Sequence, residues 1–249
     1  MLPINQQENI NKLNIYLESI ISLFKHKFIF LFDADRTLCE FDTSRLFNDL
    51  AGIDLQRIKE GFVKHGYNFE GFLNNAKIYS ELEFEQYKNY SKTIANRTNL
   101  YPGVNDLMNK IRRFADICIV TAGIKEIWQE IKEKHFSEDV KLLGGLHQWN
   151  SDFIIGKYEK GYFCDCLKKQ GKIVFAFGDT DVDTFMLQKA HHAFIIVNHK
   201  NNWDLIPNLL DHKSLFQISF KDFLHPNIPS TTYSSLVEDI FEKIYSIGE

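Results

Sequence analysis

The sequence predicts an α/β protein: a doubly wound parallel sheet with a helical unit inserted after its first strand. Three observations carry this. Four short runs are almost wholly apolar: FIFLF (28–32), ICIV (117–120), IVFAF (173–177) and AFIIV (193–197). Strands read this way when both faces are covered, as in parallel sheets. Helical stretches lie between them, KEIWQEIKEKH (125–135) and DTFMLQKAH (183–191), and that alternation belongs to the same architecture. Finally, 62 residues of helical character (39–100) separate the first run from the helix leading to the second. A structureless loop of that length has no place in a compact domain.

Taken in order, residues 8–24 set Ile10, Leu13, Leu17, Ile20, Ile21 and Phe24 at helical spacing. They predict an N-terminal helical extension over 1–24. The sheet domain then spans 25–42 and 100–215, interrupted by the helical insertion at 43–99. The insertion includes LFNDLAGIDLQRIKEGFVKHG and ELEFEQYKNYSKTIANRT. Its aromatic residues, Phe62, Tyr67, Phe69, Phe72, Tyr79, Phe84 and Tyr87, are read as its core. YPGV (101–104) returns the chain to the sheet. DVKLLGGLHQWNSDFIIG (139–156) reads as a β-excursion around Gly144-Gly145, and SLFQI (214–218) as one more strand. Within the C-terminal segment 216–249, HPNIPSTT (225–232) reads as a loop. A terminal helix follows, with Leu236, Val237, Ile240, Phe241 and Ile244 on one stripe.

At 249 residues with 44% hydrophobic and 14% aromatic content, the chain can pack a sizeable core, which argues against disorder. A net charge of −4 gives no general basic field for nucleic acid or an anionic membrane. The cysteines, Cys39, Cys118, Cys164 and Cys166, show no paired metal spacing and read as reduced thiols. His191-His192 has no second ligand set at helical spacing. The N-terminus lacks the basic start and continuous apolar stretch of a signal peptide. No run approaches the roughly 20 apolar residues of a membrane helix. The expectation is a cytoplasmic protein of unspecified oligomeric state.

The four apolar runs end in polar residues: Asp33-Ala34-Asp35, Thr121-Ala122-Gly123, Gly178-Asp179-Thr180-Asp181-Val182-Asp183 and Asn198. In an open parallel sheet the carboxyl edge is where ligands bind. Each item alone has a plain alternative. Asp33 or Asp35 could cap a turn, Thr121 the helix starting near Ile124, and Asp181 or Asp183 the helix after it. Together they bring three or more carboxylates close, which is costly unless a cation neutralises them. A hard divalent ion with oxygen ligands, Mg²⁺, does so.

DADRTL (33–38), the IVTAG strand end (119–123), a lysine, and GDTDVD (178–183), in that order, resemble the four signature motifs of the haloacid dehalogenase-like (HAD) superfamily of phosphohydrolases. The insertion resembles the helical C1 cap of its phosphoserine-phosphatase-like branch. The resemblance implies a Rossmann-like core and a Mg²⁺-dependent phosphatase acting on a small phosphorylated metabolite. Asp33 would be the nucleophile, forming an aspartyl-phosphate. Asp35 would protonate the leaving oxygen and then activate water. Thr121 and the amide of Ala122 would hold phosphate oxygens. The motif lysine is Lys157 or Lys160, with Lys160, directly before Gly161, matching the usual placement. Asp33, the backbone carbonyl of Asp35, Asp179 and Asp183 would bind Mg²⁺, and a cap hinged near Glu40–Ser44 and Asn99–Gly103 would close over the site.

The pattern has departures. Arg36 stands where a small residue is usual, with Asp42 as a possible ion-pair partner. Thr180 replaces a usual glycine, and Val182 a common asparagine. Asp35, Asp179 and Asp183 argue against a dehalogenase, which needs none of them. A phosphotransferase using the same intermediate, and a regulatory protein binding a partner, remain as alternatives. Asp42 lies where that branch carries an acid able to meet an amino group. For a substrate carboxylate the candidates are Arg45, Arg57 and Arg97, or Lys64, Lys77 and Lys88.

Overall fold

The computed structural model describes residues 4–145, 153–221 and 223–245. Helix α1 (Ile4–Ile21) precedes strand β1 (Phe28–Phe32). Helices α2 (Thr43–Ala51), α3 (Leu55–His65), α4 (Phe69–Tyr79) and α5 (Phe84–Arg97) intervene before α6 (Val104–Ile111) and β2 (Ala115–Thr121). Then come α7 (Lys125–His135), β3 (Lys141–Gly144), α8 (Lys157–Lys169), β4 (Ile173–Gly178), α9 (Thr184–Lys189) and β5 (His192–Ile196). A 3₁₀ segment (Lys200–Asn208), β6 (Leu215–Ile218) and β7 (Ser230–Thr231) follow. A π-helical turn (Val237–Phe241) leads into α10 (Glu242–Tyr245).

The strands pair in parallel in the order β3-β2-β1-β4-β5-β6-β7. Both faces of this sheet are buried, which is why its strands read as unbroken apolar runs. Along β1 the side chains alternate: Phe30 and Phe32 enter one core, Ile29 and Leu31 the other. The first core is an aromatic layer. Phe32 stacks on Phe177 at 4.3 Å between ring centroids, and Phe177 on Phe194 at 4.4 Å. Helices α6, α7 and the C-terminal segment cover it. The second face is closed by α8, α9 and α1, with Ile10, Leu13, Leu17, Ile20, Ile21 and Phe24 all buried. The N-terminal stripe therefore does what its spacing predicts.

Helices α2 to α5 leave the sheet after β1 and return beside their point of departure, where Cys39 and Leu100 form an antiparallel bridge. Asp42, Asp54 and Asn68 start α2, α3 and α4 by accepting backbone amide protons. Such short caps suit short helices. The inserted segment is not separately cored: Phe47, Tyr79, Tyr87 and Ile94 join the first core of the sheet, and Phe69, Phe72 and Ala76 the second. Of its aromatic residues, Tyr67 and Phe84 are exposed rather than core.

Two local expectations change. Within 139–156, Lys141–Gly144 is not an excursion but edge strand β3 of the main sheet, paired to β2; residues 146–152 lie outside the described residues. The expected loop at 225–232 contains β7, where Gln217 pairs with Ser230. Of the C-terminal stripe, Leu236, Val237, Ile240 and Phe241 are buried, while the side chain of Ile244 lies outside those described. No described helix is long and apolar enough to cross a membrane.

Candidate active site

Strand β1 lies between β2 and β4, with Phe32 level with Ile119 on one side and Phe177 on the other. Because all three run the same way, their carboxyl ends deliver Asp33, Thr121 and Asp179 to one edge. The Asp33 amide donates to the Phe177 carbonyl at 2.9 Å, continuing the ladder to the point where the chain turns away.

One carboxylate oxygen from each of Asp33, Asp179 and Asp183 lies within 4.8 Å of the others, and all three residues are buried. Lys160, 1% exposed, settles between two of them, 2.5 Å from Asp33 Oδ1 and 2.7 Å from Asp183 Oδ1. Of the two lysines the motif allows, only this one enters the cluster. Lys157 instead pairs at the surface with Asp181 at 2.7 Å. Burial, reinforced by Asp183 and opposed by Lys160, raises the Asp33 carboxyl above its ordinary value. Asp179 is raised well above its own, again by burial first, with Arg36 opposing.

Asp183 is held by the backbone as well as by Lys160. Its Oδ2 accepts from the amides of Asp179 and Thr180 at 3.1 and 3.2 Å. The last residue of strand β4 has to be bare: a Cβ on Gly178 would stand 2.5 Å from Asp183 Cβ. Asn202 fixes the same turn by donating to the Asp179 carbonyl at 2.7 Å.

Asp35 points elsewhere. Its Oδ1 accepts from Thr43 Oγ1 at 2.6 Å, the Thr43 amide at 3.2 Å and Trp128 Nε1 at 3.0 Å. Its Oδ2 lies toward Gly123, where an added Cβ would be 2.8 Å away. Burial, then the Asp42 charge, push this carboxyl up to about 7, against the hydrogen bond from Thr43. Asp42 itself caps α2, accepting from the Arg45 amide at 3.1 Å. Thr121, 1% exposed, does not cap α7, whose N-cap is Ile124. Its Oγ1 accepts from the Gly123 amide at 2.9 Å, shaping the turn that carries Ala122.

Arg36 has a left-handed backbone, φ +60°, the one non-glycine residue of this kind among those described. Glycine, lacking a Cβ, would sit there with less strain. The Arg36 Nε stands 3.1 Å from Asp179 Oδ2, off the line of a hydrogen bond, and NH1 is 3.8 Å from Asp42. Asp179 Oδ2 is consequently buried without a hydrogen-bond donor. A buried carboxylate oxygen in that condition, grouped with two more carboxylates, suits a hard divalent cation. The donor set fits such an ion, with Asp33, Asp179 and Asp183 as ligands.

Asp33, Asp35, Arg36, Lys160 and Asp179 line one cavity of about 330 Å³, together with Thr121, Ala122 and inserted residues of α2, α3 and α4, and Asp183 is joined to this set by its bond from Lys160. Of the arginines proposed for a substrate carboxylate only Arg45 lines it; Arg57 is engaged by Glu81 at 2.5 and 2.8 Å. Lys64, Lys77 and Lys88 do not line it, whereas Lys59 does. Sequence reasoning missed Thr43, Trp128 and Asn202. They lie 8 to 93 residues from the groups they hold, with no motif to mark them.

No protein-family model and no curated protein matches the sequence. Solved structures do match. An apo phosphoserine phosphatase is 16% identical, covering 77% of this chain and 92% of its own, with a TM-score of 0.54. A phosphoserine phosphatase captured as a phospho-aspartyl intermediate analogue is 18% identical over 73% of this chain and 91% of its own, TM-score 0.54. A HAD family hydrolase from Salmonella enterica serovar Typhi is 14% identical over 86% and 84%, TM-score 0.57. The chain has the fold of these hydrolases.

Proposed function

We propose that this chain is a Mg²⁺-dependent phosphatase that hydrolyses a small phosphomonoester through an aspartyl-phosphate on Asp33. The observation that supports it most is the convergence of Asp33, Asp35, Lys160, Thr121 and Asp179 on one cavity, with Asp183 grouped beside Asp33 and Asp179 and bonded to Lys160. Asp33 Oδ1 is tied to Lys160, which neutralises charge as the carboxylate approaches a phosphate. Asp33, Asp179, Asp183 and the Asp35 carbonyl would hold Mg²⁺, which screens the anionic ester from the anionic nucleophile.

The carboxylate then attacks phosphorus, forming the acyl-phosphate bond as the ester P–O bond breaks. Asp35 gives its proton to the departing alkoxide. The grip of Thr43 and Trp128 on Oδ1 leaves Oδ2 as the protonated oxygen. The resulting Asp35 carboxylate takes a proton from the water that hydrolyses the intermediate. Thr121 and the Ala122 amide orient the phosphoryl oxygens.

The test is turnover of p-nitrophenyl phosphate with Mg²⁺ and with EDTA. Activity is expected only with the metal, and Asp33→Asn should abolish it. An Asp33→Asn enzyme that retained its rate would refute the assignment.

A further inference from the structure

We infer that the wall of the cavity made by the inserted helices recognises hydroxyl groups, so that the substrate is the phosphomonoester of a small polyol; this rests on the phosphatase reading above. Asn48 on α2 and Asn75 on α4 line the cavity while 3% and 6% exposed. In each, the carboxamide oxygen is buried without a hydrogen-bond partner among the described residues. Buried polar groups are rarely left so, and two on one small cavity mark acceptors awaiting donors from a ligand.

Asn48 is fixed by its hydrogen bond to the Tyr79 phenol, and because the carboxamide oxygen has no partner it is the NH₂ that donates, leaving the oxygen to accept. The acceptors are neutral. They favour an O–H and repel a carboxylate. A substrate ammonium would call for an anionic partner, and the nearby Asp42 already caps α2 and faces Arg36. A substrate carboxylate would call for a buried cation, yet Arg45 and Lys59 are exposed. Ile58, Phe62 and Phe72 on the same side supply apolar surface for a short carbon frame. A volume of about 330 Å³ accommodates that frame plus a phosphate.

The experiment compares kcat/KM of the wild-type protein with Mg²⁺ on glycerol 1-phosphate and on propyl phosphate, which differ by two hydroxyls. p-Nitrophenyl phosphate and O-phosphoserine complete the panel. Buried acceptors left unpaired by the deoxy ester predict a preference for glycerol 1-phosphate of roughly ten- to a thousandfold. Asn48→Leu and Asn75→Leu should each reduce that preference about tenfold. A wild-type ratio near one, a ratio surviving both substitutions, or faster turnover of O-phosphoserine would overturn the polyol assignment while activity on p-nitrophenyl phosphate stood. Absence of Mg²⁺-dependent turnover of every ester would overturn the phosphatase reading as well.

Discussion

Replacing Lys160 by methionine keeps the apolar stem of the side chain and removes only its charge. That charge is 1% exposed and lies within 2.7 Å of both Asp33 and Asp183. Two cations, Lys160 and Arg36, now face three carboxylates; in the variant one faces three. Removing one partner of a buried ion pair costs about 3–5 kcal/mol, because the survivors stay buried and uncompensated. In a chain of this length 1 kcal/mol corresponds to about 2–4 °C in Tm, so a fall of about 10 °C is expected in EDTA.

The sign of the pH response follows. Asp33 is already raised in the folded protein, and without Lys160 it rises further. A carboxyl raised on folding loses stability as pH climbs from its unfolded toward its folded value. The deficit of the variant should therefore shrink as pH is lowered from 7 toward 5. Mg²⁺ replaces the missing charge, so it should raise Tm more in the variant than in the wild type. Calorimetry in EDTA and in Mg²⁺ reads all three. A variant melting within about 2 °C of wild type in EDTA would refute the idea that Lys160 balances this cluster.

Arg36→Gly relieves a left-handed backbone and removes a half-exposed cation beside Asp179, worth about 1 kcal/mol of repulsion toward a divalent ion; titration calorimetry should show Mg²⁺ binding roughly five- to tenfold tighter, and weaker binding would contradict it. Gly178→Ala drives a methyl into Asp183, so Mg²⁺ binding should weaken with a stability loss of about 1–3 kcal/mol; unchanged affinity would show that Asp183 is not a ligand. His192, bonded to Ser214 and Tyr245 at 2.6 Å, is pushed down to about 4 by burial and then by His191 and His212. The unfolded chain binds this proton first as pH falls from 6.5 toward 4, so stability should drop by about 1–2 kcal/mol after allowance for partial solvent contact. His192→Gln should flatten that slope in urea titrations.

The sheet was legible because its chemistry is local: a strand buried on both faces must be apolar along its centre, and β1, β2, β4 and β5 are, with the polar residues Asp116, Thr121 and His192 only near strand ends. KEIWQEIKEKH coincides with α7, residue for residue. The edge strands were not legible. β3 offers four residues beside a glycine pair and β7 two, too few for a period to appear. Within the site, the acids at strand ends follow from strand direction, whereas the residues that aim them do not. Trp128 reaches Asp35 from α7, where an amphipathic pattern says only that it is buried. Asn48 and Asn75 look like ordinary helix polar positions until burial and missing partners are known. Lys160 differs from Lys157 by one helical turn, which sequence alone could not orient.

The contacts of Asp35 constrain how the site can open. Thr43, its closest partner, is the first residue of α2, while Trp128 belongs to α7. Helix α5 packs on α7, and the Tyr87 hydroxyl donates to Glu126 at 2.9 Å. A swing of the whole insertion about Glu40–Ser44 would therefore break the α5–α7 packing and strip Thr43 from Asp35 in one movement. Helices α3 and α4 are differently placed. They pack on each other, and α4 is held by Phe69, Phe72 and Ala76 in the second core and by Tyr79, at its end, in the first. Movement confined to this pair would uncover Asn75 and Phe72 while leaving Asp35 gripped. Both termini reinforce the fixed side. Asn9 of α1 bonds Ile154 through its amide and carbonyl and also reaches Glu159, the neighbour of Lys160. Tyr233 near the C-terminus donates to the Thr37 carbonyl at 2.7 Å. The segments that carry the acids and the lysine are thus clamped from outside the motif-bearing stretch, whereas α3 and α4 pack chiefly on each other.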